Sequence, residues 1–118
     1  MKCSELQEII KKKGFEVTKV IEDEEKCIVD FKHPKIKVEP PVAYFLSSAV
    51  LNKKDNSIET TVRSKVEDYK ELYLDYCCEG EEQVCRPHVS MEEKILSVEA
   101  RFHKNPKEKF ERLLDEIR

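Results

Sequence analysis

The sequence predicts an α+β fold. The expected form is a two-layer sandwich: a curved, mostly antiparallel sheet of five to six strands, with the N- and C-terminal helices packed on one face. Three observations predict it. Helical periodicity is clear only at the two ends of the chain. The segments between them alternate apolar and polar residues, the period of a half-buried strand. No strand–helix alternation demands a parallel sheet. At 118 residues the chain reads as a single domain, 1–118.

The first helix is expected over residues 5–13. Ser4 followed by Gln7 has the spacing of a capping box. Leu6, Ile9 and Ile10 share a face. Lys11, Lys12 and Lys13 stand in the last turn, where cations complement the negative end of the helix dipole. Gly14 supplies the left-handed position that ends a helix. Two strands follow. Phe15, Val17 and Ile21 punctuate the first, with Lys19 and Val20 blurring its alternation, and Cys27, Val29 and Phe31 alternate in the second. Between them Glu22-Asp23-Glu24-Glu25 reads as a solvated turn, because it lacks the spaced oxygen ligands and central glycine of a calcium loop. His33-Pro34 and Pro40-Pro41 bracket Ile36 and Val38, so this piece is expected to be an edge strand or connector.

The centre of the sheet is expected at residues 44–51, which are largely apolar on both faces. After the turn Asn52-Lys53-Lys54-Asp55-Asn56, a strand with one buried face carries Ile58, Thr60, Val62, Ser64 and Val66. Residues 69–78 fit either a strand or a helix, and their tyrosines favour strand. Leu96, Val98, Ala100 and Phe102 mark a further strand, with His103 outward. The last helix has Asn105 as N-cap, Pro106 in the first position and Glu108 two residues on. Its core stripe is Phe110, Leu113, Leu114 and Ile117.

Composition bounds the function. Charged residues are 40% of the chain, yet 22 basic and 25 acidic side chains nearly cancel. That balance lacks the clustered positive excess of a non-specific nucleic-acid binder. The 17 Lys and 19 Glu, with few amides and glycines, resemble a thermophile's composition. No stretch is long and apolar enough for a membrane span or a signal peptide, so a soluble cytoplasmic protein is expected.

One segment could carry chemistry. Cys77, Cys78, Cys85 and His88 lie within twelve residues. Three readings compete. The cysteines are packing residues, as free cysteines commonly are. Alternatively Cys78 (or Cys77) and Cys85 form a disulfide across a turn containing Gly80. In the third reading Cys78, Cys85 and His88 bind zinc, with Cys77, Cys27 or His33 as fourth ligand. The spacing fits no standard zinc finger, and adjacent cysteines on a strand face opposite ways. His33 itself reads first as a turn residue.

Phosphate loops, dinucleotide fingerprints and zinc-protease motifs are absent, so the sequence leans away from an enzyme and names no catalytic residue and no cofactor other than the zinc alternative. Tyr69, Tyr73 and Tyr76 are the candidate interface residues, since tyrosine is enriched at protein interfaces. The expected function is a small non-catalytic binding or adaptor domain whose partner is another protein or a second copy of the chain. The alternatives are a zinc- or disulfide-stabilised protein built on residues 77–88 and a small-ligand binder with a cavity between sheet and helix.

Overall fold

A computed structural model describes residues 1–34, 36, 46–65, 84–90 and 95–117, of which 65 and 84–90 are described by backbone alone. The order is α1 (Cys3–Lys12), β1 (Glu16–Glu22), β2 (Lys26–Lys32), β3 (Ser47–Asn52), β4 (Ile58–Lys65), β5 (Val84–Ser90), β6 (Ile95–Phe102) and α2 (Pro106–Ile117). The six strands form one sheet in the order β1-β2-β3-β4-β6-β5, and every neighbouring pair is antiparallel. The expected α+β sandwich is therefore present. Val38 of the proline-bracketed piece, the first residues of the expected 44–51 strand, Val66 and the whole 69–78 segment lie outside the described residues.

Both helices pack on one face. Leu6, Ile9 and Ile10 of α1 and Phe110, Leu113, Leu114 and Ile117 of α2 join one core with Cys27, Val29, Phe31, Ala49, Leu51, Ile58, Val62, Leu96, Val98 and Phe102. The sheet members are alternate residues of four strands, so the two-residue period read from the sequence does set the buried face. Burying one large side chain of this kind contributes about 1.5–3 kcal/mol. Three rings cross the layer edge to face: Phe15 on Phe31 at 5.4 Å and Phe31 on Phe110 at 6.5 Å between centroids. They tie the end of α1 to α2 through the sheet.

The start of α1 corrects one expectation. The Ser4–Gln7 box is not used. Lys2 is the N-cap, and its backbone N–H donates to the Glu5 carboxylate at 3.4 Å. Starting the helix at Cys3 puts that residue, and not Ser4, on the inner face, where it bonds to β2. The end follows the sequence. Gly14 has φ 91°, its N–H donates to Lys11 O, and Phe15 N–H reaches back to Ile10 O. That is a Schellman closure, sealed by the buried pair Ile10 and Phe15. At α2, Lys109 N–H donates to Asn105 O, so Asn105 stands at the N-cap. Its φ of 47° is left-handed, which asparagine tolerates better than most residues.

The blurred alternation of β1 has a structural cause. The register shifts between Val17 and Lys19, leaving Thr18 as an extra, bulged residue. Residues 84–90, to which the sequence analysis assigns no element, form the outer strand β5. Pro87 is tolerated there because, among the described residues, no strand pairs with the other side of β5.

Candidate functional site

Strand alternation gives the sheet a second face, turned away from both helices. Cross-strand register builds it in rows. One row runs Ile21, Ile28, Val50, Glu59, Arg101. The next runs Lys19, Asp30, Ser48, Thr61, Glu99. Ile28, Ser48, Val50 and Thr61 are half-buried, whereas Ile21, Glu59, Glu99 and Arg101 are exposed. The first row changes from apolar at the β1 end to charged in the middle, whereas the second begins with Lys19 and Asp30. Glu59 and Arg101 pair at 3.0 Å, both well exposed. Such a pair contributes about 0–1 kcal/mol and can be displaced at little cost.

Two concavities open on this face. One of about 420 Å³ is lined by Ser48, Val50, Glu59, Thr61, Glu99 and Arg101. Another of about 570 Å³ lies at the sheet end between Glu24, Glu25, Lys26, Asn52, Lys53 and Lys54. Neither lies between sheet and helix, where the sequence reading placed its alternative ligand cavity. The described part of that interface is occupied by Phe31, Phe102, Phe110, Leu113 and Leu114, all fully buried.

Beneath the open face the strands are locked by side chains. Thr60 Oγ1 donates to Ser48 O at 2.6 Å, Ser47 Oγ accepts from Arg63 N–H at 2.8 Å, and the Arg63 guanidinium donates to Leu46 O. At the β1–β2 hairpin the Asp23 carboxylate accepts the backbone N–H groups of Glu25 and Lys26 at 2.7 and 2.8 Å. The Lys26 and then the Glu25 bond hold Asp23 below the usual carboxylate range. Lys53 donates to Asp23 O and pairs with Glu22, both at 2.7 Å. Asp55 is likewise lowered by its bonds to Ser57.

The candidate site residues fare unevenly. Tyr69, Tyr73, Tyr76, Cys77 and Cys78 lie outside the described residues. Cys85 and His88 both belong to β5, in register with Ala100 and Ser97. Those positions have opposite parity along the strand. Cys27 cannot serve as a zinc ligand, because it is bonded to Cys3. The bridge joins α1 to β2 with Cα atoms 5.7 Å apart, and no local pattern announced it. His33 does open a turn, its carbonyl accepting from Ile36 N–H at 3.0 Å, but it is not at the surface. It is 1% exposed, its ring edge to face on Phe15 at 5.3 Å. Among the described residues no three His, Cys, Asp or Glu side chains gather as a metal site. No helix among them is long and apolar enough to cross a membrane.

The sequence reading missed Ile21, Ile28 and Val50 as surface residues. A signal existed: Val20 and Ile21 are adjacent apolar residues, so one of them had to leave the core face. Compared with known proteins, the chain matches no protein family, no curated protein and no solved structure.

Proposed function

We propose that this chain is a small non-catalytic binding domain, which recognises another protein or a second copy of itself through the side of its sheet turned away from both helices. One observation carries the reading: the apolar row Ile21, Ile28, Val50 on a face that neither helix covers. The core already uses the opposite face. Apolar side chains held half-exposed beside a displaceable ion pair are surface that a partner can bury.

Photo-cross-linking inside the cell tests it. A benzophenone side chain at position 28 or 50 is expected to give one discrete adduct, and one at Lys107, on the exposed side of α2, none. Equal labelling at all three positions, or none at any, refutes the reading. The mass of the adduct identifies its class, since a second copy doubles the 13.9 kDa chain.

The Lys- and Glu-rich composition and the Cys3–Cys27 bond together favour the cytoplasm of a thermophile, where intracellular disulfides persist. Cell fractionation checks this, and recovery outside the cytoplasm refutes it.

A further inference from the structure

We propose that the free edge of β1 pairs antiparallel with β1 of a second copy, about a two-fold axis at Val20, extending the sheet across the dimer. The proposal goes beyond the binding-domain reading, because it uses the outer edge of β1 and not the face that carries Ile28 and Val50.

Three independent features of β1 support it. First, β1 ends the strand order, and among the described residues no strand lies against its outer side. An unpaired row of N–H and C=O groups is a template for another strand. Second, the exposed large apolar residues of the described chain are Val20 and Ile21, at 39% and 47%, and both are on this strand. Val20 stands opposite Val29 on the helix-covered face, and Ile21 opposite Ile28 on the open face. Each face of the edge therefore carries one large exposed apolar residue, flanked by Lys19 or Glu22.

Third, the charges at the two ends of β1 are opposite. Lys11 and Lys12 precede the strand, and Glu24 and Glu25 follow it. All four are exposed, and none makes an ion pair among the described residues. Antiparallel self-pairing lays the acidic end of each copy beside the basic end of the other, whereas a parallel arrangement stacks like on like. This self-complementarity selects a second copy over an unrelated strand.

The hydrogen-bond phase fixes the centre. Asp23 N–H donates to Lys26 O at 3.0 Å, closing the hairpin with a bonded pair. Bonded and non-bonded pairs alternate along an antiparallel ladder. Counting back, Asp23 and Ile21 direct their backbone groups to β2, and Glu22 and Val20 direct theirs outward. A two-fold axis at Val20 makes Val20 with its counterpart a bonded pair. It sets Lys19 beside Ile21 and Thr18 beside Glu22 of the second copy. Glu16 lies beyond the bulge at Thr18, outside this count, and is held by Lys32 at 3.5 Å. The bulge at Thr18 limits the regular ladder to about the last four residues of β1. The short ladder makes this a small interface, at the weak and transient end of the range.

Sedimentation of the full chain from about 1 μM to about 1 mM tests the pairing, a span that brackets micromolar dissociation constants. A shift toward twice 13.9 kDa is expected. Val20→Pro removes an N–H that the ladder to β2 does not use, and Val20→Lys places a charge on the axis. Each is expected to leave a monomer with unchanged circular dichroism. Surface charges give a readout independent of folding. Lys11→Glu/Lys12→Glu weakens the dimer about tenfold at low salt, because each substitution acts twice across the axis. Mixing that variant with Glu24→Lys/Glu25→Lys restores a heterodimer. A monomer throughout the range overturns the proposal, as does a dimer indifferent to the charge swaps. If the chain is monomeric but cross-links to a different protein at positions 28 and 50, self-pairing fails and the binding-domain reading stands.

Discussion

Breaking the Cys3–Cys27 bond is expected to cost this protein about 3.5 kcal/mol of stability. The residues are 24 apart in sequence. Closing a loop of that length removes from the unfolded chain an entropy worth about 3.5 kcal/mol at 25 °C. Unfolding entropy is about 2.1 cal/mol/K per residue, so over 118 residues the same loss lowers Tm by about 14 °C. The folded state should survive the cut. Leu6, Ile9 and Ile10 still bury α1 against the sheet, and the Schellman closure at Gly14 remains. The assay is urea unfolding with and without a strong dithiol, for the wild type and for Cys3→Ala/Cys27→Ala. The wild type should lose most of the predicted increment on reduction. The double variant should start lower and show no dithiol dependence from this bond. A thiol titration in denaturant without reductant provides the companion count. Two of five cysteines bridged leaves three reactive, and a further Cys78–Cys85 bond would leave one. Five reactive thiols, or a wild-type midpoint indifferent to the dithiol, would refute the reasoning.

Other outcomes follow from the packing and the turns. Phe31→Ala removes the ring that touches both Phe15 and Phe110, and calorimetry should show a loss of about 3–5 kcal/mol, against less for Phe31→Leu. Gly14→Ala forces a Cβ into φ 91° and should destabilise by about 1–2 kcal/mol in urea melts, while the same change at exposed Lys12 should be near neutral. The folded Asp23 carboxyl titrates below its unfolded value, so its contribution is present above the unfolded pKa of about 3.9 and is lost as pH falls through the lower folded value. The stability gap between wild type and Asp23→Ala should accordingly be constant at neutral pH and close in strong acid, and a gap that widens on acidification would contradict this. Glu59→Ala should change stability by less than about 1 kcal/mol, since both members of its pair with Arg101 are exposed.

Most of the architecture was legible because it rests on local periodicity. Phe110, Leu113, Leu114 and Ile117 at helical spacing, and Leu96, Val98, Ala100 and Phe102 at strand spacing, are buried as their spacing requires. Gly14 ends α1 because few other residues accept its backbone angle. The misses are of another kind. Ser4-x-x-Gln7 matched a cap pattern, but the bond of Cys3 to β2 and the carboxylate of Glu5 moved the start of the helix. Residues 84–90 show no clean alternation, and their strand is placed only by its pairing with β6. The candidate site shifted for a similar reason. A sequence can show that Val20 and Ile21 cannot both be buried, but not that their strand stands at the end of the sheet.

The sequence by itself determined the number and kind of the terminal helices, the buried face of β2, β4 and β6, and an antiparallel sheet between two helices. Periods of 2 and 3.6 residues and the backbone limits of Gly and Pro act within a few residues of chain, so they can be read there. Only the tertiary structure decided that Cys3 meets Cys27, that the His33 ring packs edge to face on Phe15, that β6 inserts between β4 and β5, and that Ile21, Ile28 and Val50 align on the face turned away from both helices. Each of these is a meeting of residues distant in sequence or on different strands. Such meetings are fixed by which elements share a core, and no local pattern encodes them.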